Sequence, residues 1–294
     1  MNKIILAAFL VLPGAAHGAE TASFLTVGAG ARAQGLGGAY SALGEDADSL
    51  YWNPAGLARL EKRDVSVSHA ELFAQSRHDF LAYAHPTAMG TFAGAFTYLS
   101  QASIDGRDAS GRPTGSYQAS DSAVTAGYAR KTDWADLGAS VKYLRSHIGS
   151  TDAQGAAVDL GARRSFGTVA LGAAVRNLGA GLKYEDQRND LPLRLAAGAA
   201  YKLAGGHALA FELTNGPRGA GTDAAFGGEY QAIKGGALRG GYTTQSASGG
   251  TGFDAARGLS LGLGVARERW RLDYAVLPMG ELGTSHRFTL GARF

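Results

Sequence analysis

The chain has no cysteine, only 7 prolines in 294 residues, and no apolar run beyond the N-terminus long enough to cross a bilayer as a helix. The first absence excludes disulfides, thiolate chemistry, cysteine-ligated metals and a lipidated N-terminal cysteine. The third excludes a helical membrane protein, whose spans need about 20 apolar residues. Neither sign of charge dominates, with Lys+Arg 28 against Asp+Glu 25, and the basic residues are scattered, so a nucleic-acid partner is not expected. The 7 histidines include no i,i+4 pair and no H-E-x-x-H, which leaves a metal site without support. Asp105 and Asp108 are too loosely spaced for a calcium loop and read as solvated charge.

What the chain does have is glycine, 44 residues of it, and a regular period of two. Trp270, Leu272, Tyr274 and Val276 alternate with Arg271, Asp273 and Ala275, and Leu259, Leu261, Leu263 and Val265 alternate with Ser260, Gly262 and Gly264. Such alternation marks strands that separate two environments. Segments of this kind are expected at 63–73, 78–85, 91–100, 121–131, 134–147, 153–166, 168–178, 190–202, 206–215, 222–232, 235–245, 257–267, 269–278 and 285–294. These fourteen strands are mostly joined by short turns, and short connections make neighbours antiparallel.

Ahead of them, Lys3, the apolar stretch Ile4 to Leu12 and the small residues of Ala16-His17-Gly18 read as an export signal over residues 1–18. An even number of ten-residue strands behind such a signal describes an all-β, 14-stranded antiparallel transmembrane β-barrel of a Gram-negative-type outer membrane. A periplasmic β-sandwich is the soluble alternative. Each strand here has one large apolar face opposite a face of Gly, Ala, Ser and charge, as a lumen requires and a sandwich core does not. Aromatic residues near strand ends, among them Tyr128, Trp134, Tyr201, Tyr230, Trp270 and Phe294, suit interfacial girdles. The G-x-S-x-G at 258–262 lies within this alternation, whereas a nucleophile elbow needs a strand-turn-helix bend, so Ser260 reads as a small lumen residue. With no other catalytic constellation and no cofactor motif, no enzyme activity is expected.

Residues 20–60 do not alternate. Gly28, Gly30 and Ala33 fit a dinucleotide-binding G-x-G-x-x-A, but no long strand precedes them and no βαβ unit follows. Ala39 to Leu43 and Asp46 to Tyr51 suit short helical turns, and Asn53-Pro54-Ala55-Gly56 a tight turn. Eight strands make a barrel that side chains alone can fill, so a wider one must be water-filled or plugged. Residues 19–62 are the expected hatch, or plug, and 63–294 the barrel.

The run GARAQGLGGAY…GEDADSLYWNPAGLA resembles the N-terminal region of the PorV/PorQ-like proteins within the FadL family of outer-membrane transport proteins. The resemblance implies a fourteen-stranded barrel closed by an N-terminal hatch, with Asn53, Pro54 and Ala55 as the hatch turn and Asp46 and Asp48 ahead of it. It also implies one of two roles. FadL-type members pass hydrophobic compounds through a gated lumen, while PorV-type members bind protein partners in secretion or envelope assembly. The only segments expected to form loops longer than about ten residues are 101–120, 179–189 and 246–256. The alternation turns Asp159, Arg163, Arg194, Glu229, Arg239, Arg271, Asp273 and Arg287 inward, away from lipid, where a charge costs roughly 2–4 kcal/mol near the midplane. These residues either line a path for an anionic head group or pair with one another (Arg163 with Asp159, Arg271 with Asp273) and with Glu45, Asp46 and Asp48, holding the hatch shut. Gly94 and Gly127 are places where the wall could kink. The partners to expect are membrane lipids, a hydrophobic small molecule and an envelope or secretion protein.

Overall fold

The computed structural model describes residues 21–184, 187–244, 258–280 and 283–294, and the expected export signal at 1–18 and the loop 246–256 lie outside these residues. Fourteen antiparallel strands close into one barrel: β1 (Asp64–Glu71), β2 (Arg77–Thr87), β3 (Gly90–Ser100), β4 (Ala119–Lys131), β5 (Asp136–Ile148), β6 (Thr151–Phe166), β7 (Val169–Ala180), β8 (Arg194–Lys202), β9 (Ala208–Gly216), β10 (Gly221–Ile233), β11 (Gly236–Thr243), β12 (Leu259–Arg267), β13 (Trp270–Pro278) and β14 (Thr284–Arg293). Each strand pairs with its chain neighbours, and closure comes from β1 against β14, with Asp64 opposite Arg293 and Glu71 opposite His286. A closed ladder leaves no free edge, which is the condition for a sheet to sit in lipid.

The period of two becomes two surfaces. Leu261, Leu263, Val265, Leu272, Phe288 and Leu290 stand outward and exposed, while Ser260, Asp273, Ala275, Arg287 and Thr289 are buried within the barrel. An apolar band of this extent suits hydrocarbon and would be a liability in water. The connections sort by end. The turns at 88–89, 132–135, 167–168, 203–207, 234–235 and 268–269 share one end with Asp64 and Phe294, and the segments 101–118 and 181–193 lie at the other. Two small hairpins extend that long-loop end, Ile104–Arg107 with Pro113–Tyr117 and Leu182–Tyr184 with Gln187–Asn189.

The wall does not kink at Gly94 or Gly127, because both sit in unbroken register (Gly94 opposite Ala126, Ala93 opposite Gly127). Its irregularities are a shift between Val158 and Leu160, facing Asn177 at φ 61°, and another between Gln231 and Ile233. Asparagine tolerates the left-handed conformation that such a bulge requires.

The N-terminal segment lies inside the barrel. From Ser23 to Arg59 it forms short pieces only: a 3-10 turn (Ser23–Thr26), α1 (Ala31–Gln34), α2 (Ser49–Trp52) and a 3-10 helix (Pro54–Arg59). Its apolar side chains, including Leu36, Tyr40, Leu50, Tyr51, Trp52 and Leu57, pack against inward Phe80, Ala82, Ala84 and Ala129. Inward glycines let its backbone reach the wall. A Cβ at Gly138 would fall on the Pro54–Ala55 backbone, one at Gly172 on Ser41, and one at Gly241 on Leu36 and Gly37. A set of inward wall glycines therefore forms a seat for this segment.

Candidate functional site

The site is the seam between the N-terminal segment and the lumen wall, with a cavity on either side of it. Asn53 ends α2 in an extended conformation (φ −157°), and its Oδ1 accepts from Ala55 N at 3.1 Å. The expected tight turn forms, with Gly56 N donating to Asn53 O at 3.0 Å, and Pro54 starts a 3-10 helix where its missing N–H costs nothing. Asn53 Nδ2 donates to Ser41 O (2.8 Å) and to Ala162 O on the wall (3.2 Å). One side chain thus fixes the turn, the earlier part of the segment and β6. The expected turns at 39–43 and 46–51 are also present, Gly44 N donating to Tyr40 O and Tyr51 N to Asp48 O.

Charged groups clamp the segment on opposite sides. Glu45 accepts from Arg163 (2.6 Å) and Lys202 (2.7 Å), and Arg163 also donates to Ala42 O (2.8 Å). Burial works to raise the Glu45 carboxyl, but these two cations outweigh it and hold its pKa below the usual range. Across the lumen Arg32 makes a paired contact with Glu229 (2.8 and 2.9 Å), a geometry that favours guanidinium over ammonium. Arg239 then bridges Glu229 (2.6 Å) and Asp273 (2.7 Å). Glu212 accepts from the backbone N–H groups of Tyr40 and Ser41 at 3.0 and 2.8 Å, and Ser260 from Gly37 N at 3.1 Å, as a lumen residue would.

All eight charged residues expected inward do face the lumen, yet the same-strand pairs do not form. Asp159 binds Lys142 (2.7 Å) rather than Arg163, and Arg271 binds Asp64 (2.7 Å) rather than Asp273. Asp159 and Arg163 lie about 13 Å apart along β6, so partners come from a neighbouring strand, as Lys142 on β5 does, from two strands away, as Asp64 on β1 does, or from the segment inside. Of the acidic residues ahead of the turn, Asp46 is buried, accepts from Tyr40 OH (2.5 Å) and lies 3.7 Å from Arg32. Burial opposes its ionisation, but Arg271 and Arg32 prevail and lower its pKa. Asp48 is no clamp. It has no ion-pair partner among the described residues, and its Oδ1 has no hydrogen bond. Burial, then the Asp46 carboxylate beside it, pushes its pKa up to about 7.

Arg32, Lys142, Arg176 and Glu212 were not anticipated. Lys142 lies between Val141 and Tyr143, and Glu212 between Phe211 and Leu213, so alternation alone would have turned both inward. Arg176 sits beside the Asn177 bulge, where the period breaks.

Toward the long-loop end the segment floors a cavity of about 310 Å³. Gln34, Tyr51 and Trp52 form the floor, Leu72, Phe73, Leu277 and Met279 the apolar rim, and Arg176, Arg194, Glu212 and Arg287 the polar wall. Arg287 donates to Gly28 O at 3.0 Å, while its buried Nε and that of Arg176 have no hydrogen-bond partner among the described residues. The Arg176 guanidinium also lies 5.4 Å from the Trp52 ring, with Glu212 4.0 Å away. A second cavity, about 300 Å³, opens toward the short-turn end beside Arg32, Glu229 and Asp273 and shares no lining residue with the first.

The family described as an uncharacterised protein family (UPF0164) matches residues 14–159 of this chain. No curated protein sequence matches it. Among solved structures, the Pseudomonas putida toluene transporter TodX superposes with a TM-score of 0.65 at 14% identity, over 90% of this chain and 96% of that one. A Pseudomonas aeruginosa FadL homologue gives 0.58 at 14% identity, over 90% and 97%. At such identity the likeness is one of fold, and the chain has the fourteen-stranded fold of FadL-type outer-membrane barrels.

Proposed function

We propose that this protein is a non-enzymatic outer-membrane barrel that passes hydrophobic or amphipathic small molecules through a lumen gated by its N-terminal segment. In this reading residues 1–18 direct export, 19–62 are the hatch and 63–294 the membrane-spanning barrel. The observation that carries it is the 310 Å³ cavity above the hatch, lined by apolar and aromatic side chains together with about as many polar ones, with two buried guanidinium N–H groups unpartnered among the described residues. A buried donor without an acceptor costs about 1–3 kcal/mol, and an anionic or strongly polar head group would remove that cost. The fold shared with a toluene transporter and a FadL homologue supports the same role.

Mass spectrometry of the protein purified gently from native outer membranes tests it. A stoichiometric lipophile, absent from a control barrel and lost in Arg287→Leu, is the expected result. An empty lumen with a stoichiometric protein partner would replace transport with the binding role that the PorV/PorQ-like motif at 28–58 implies.

A further inference from the structure

The two ends of the lipid-facing wall differ in how their charges are balanced. Toward the long-loop end, outward groups of both signs neutralise one another: His69 Nδ1 is 2.6 Å from Asp79, and Arg145 and His147 each approach Asp152 at 3.2 Å. At the short-turn end, three separate strands place an exposed arginine on the outer face: Arg130 on β4, Arg164 on β6 and Arg267 on β12. The turns add exposed Lys234 and Arg269, and none of these five cations has an ion-pair partner among the described residues. The carboxylates in these turns, Asp133 and Glu268, are exposed and pair with none of them.

Aromatic rings set the depth of two of these cations. The Arg164 guanidinium lies 5.0 Å from the Phe166 ring, and that of Arg269 lies 5.4 Å from Trp270 and 5.8 Å from Phe294. Such rings concentrate where hydrocarbon meets head groups, and an arginine resting on one keeps its N–H edge free for an acceptor. Short turns mark the periplasmic end of an outer-membrane barrel. The acceptors at that depth are lipid phosphates, which a guanidinium binds with two parallel hydrogen bonds.

We propose that the short-turn rim binds the phosphates of anionic glycerophospholipids, selecting them over zwitterionic lipids in the leaflet that meets that end. A phosphodiester without an ammonium group supplies the counter-charge that the protein leaves out, while a phosphocholine carries its own cation. The proposal requires the barrel to be embedded in lipid but not to transport anything.

The test is native mass spectrometry of the full chain from vesicles mixing phosphatidylglycerol and phosphatidylcholine. We expect phosphatidylglycerol to be retained by about tenfold over its share, since each basic residue near an anionic surface adds a few-fold. The preference should fall severalfold in Arg130→Gln/Arg164→Gln/Arg267→Gln, which keeps Lys234 and Arg269, and persist in full in Arg145→Gln. Equal retention of the two lipids, or an unchanged preference in the triple variant, would overturn it. If the triple variant fails to fold, salt decides: the wild-type preference must fall as sodium chloride rises, and indifference to salt also overturns it. A barrel that moves no solute yet keeps this preference would sink the transport reading alone.

Discussion

At the scale of single residues, Asp48 runs against its neighbours. Glu45 and Asp46 are held ionised by cations, whereas Asp48 is buried beside Asp46 and Asp64, within reach of Arg271 and the Ser66 hydroxyl, and its pKa rises to about 7. An acid whose pKa is higher folded than unfolded binds more protons in the folded state between the two values. Its contribution is therefore full below about pH 4 and is lost as pH rises through about 7, by at most about 4 kcal/mol. Hatch docking should tighten from pH 8 to pH 5, and Asp48→Asn, which keeps the shape without the charge, should flatten that dependence and protect the segment at pH 8. Amide hydrogen exchange of residues 31–60 at the two pH values measures it. A slope in Asp48→Asn equal to that of the wild type would mean that another group titrates. Glu45 acts in the opposite sense, because its lowered pKa makes its contribution one that is lost as pH falls. Arg163 is fully buried, and Arg163→Ala leaves Glu45 without one of its two cations and removes one of two from Asp136, which keeps Arg59 at 2.5 Å. A loss of about 3–5 kcal/mol in thermal or urea unfolding is expected, as when a buried ion pair loses one partner.

At the scale of elements, strand and seat make separate demands on the same glycines. Gly138→Val suits a strand by propensity but puts a side chain into the Pro54–Ala55 backbone. It should leave the barrel folded and unseat the hatch at a cost of about 1–3 kcal/mol, seen as new protease cleavage within residues 31–60. Gly240→Val is the control: it points outward into open space and should be neutral. This division also explains what the sequence discloses. Two-residue periodicity reports an environment on each side of a sheet, so all fourteen barrel strands and the inward set from Asp159 to Arg287 were legible. Pairing is not periodic. Which carboxylate meets Arg163 or Arg271 depends on register between strands, on a segment more than 100 residues earlier, at Glu45, and on β1, two strands around the barrel from Arg271, at Asp64. The Asn177 bulge was hidden for a related reason: a single extra residue breaks the period at the point where Arg176 and Asn177 turn inward.

At the scale of the whole molecule, the N-terminal segment borders both cavities, with Gln34, Tyr51 and Trp52 lining the first and Arg32 and Asp46 the second. A fourteen-stranded barrel is wider than the eight strands whose side chains can close it, and among the described residues this segment occupies its lumen. The barrel's own ladder, closed by β1 against β14, does not use the segment. Deleting residues 21–60 should therefore leave a folded barrel, resistant to unheated detergent, in which water hydrates the released Glu212, Glu229 and Arg163. The same deletion should join the cavities into one pore and raise single-channel conductance well above that of the intact protein. If the truncated barrel stays folded but conducts no better, the two cavities do not share a path. The molecule would then be a plugged binding platform, and its cavity a recess rather than an entrance.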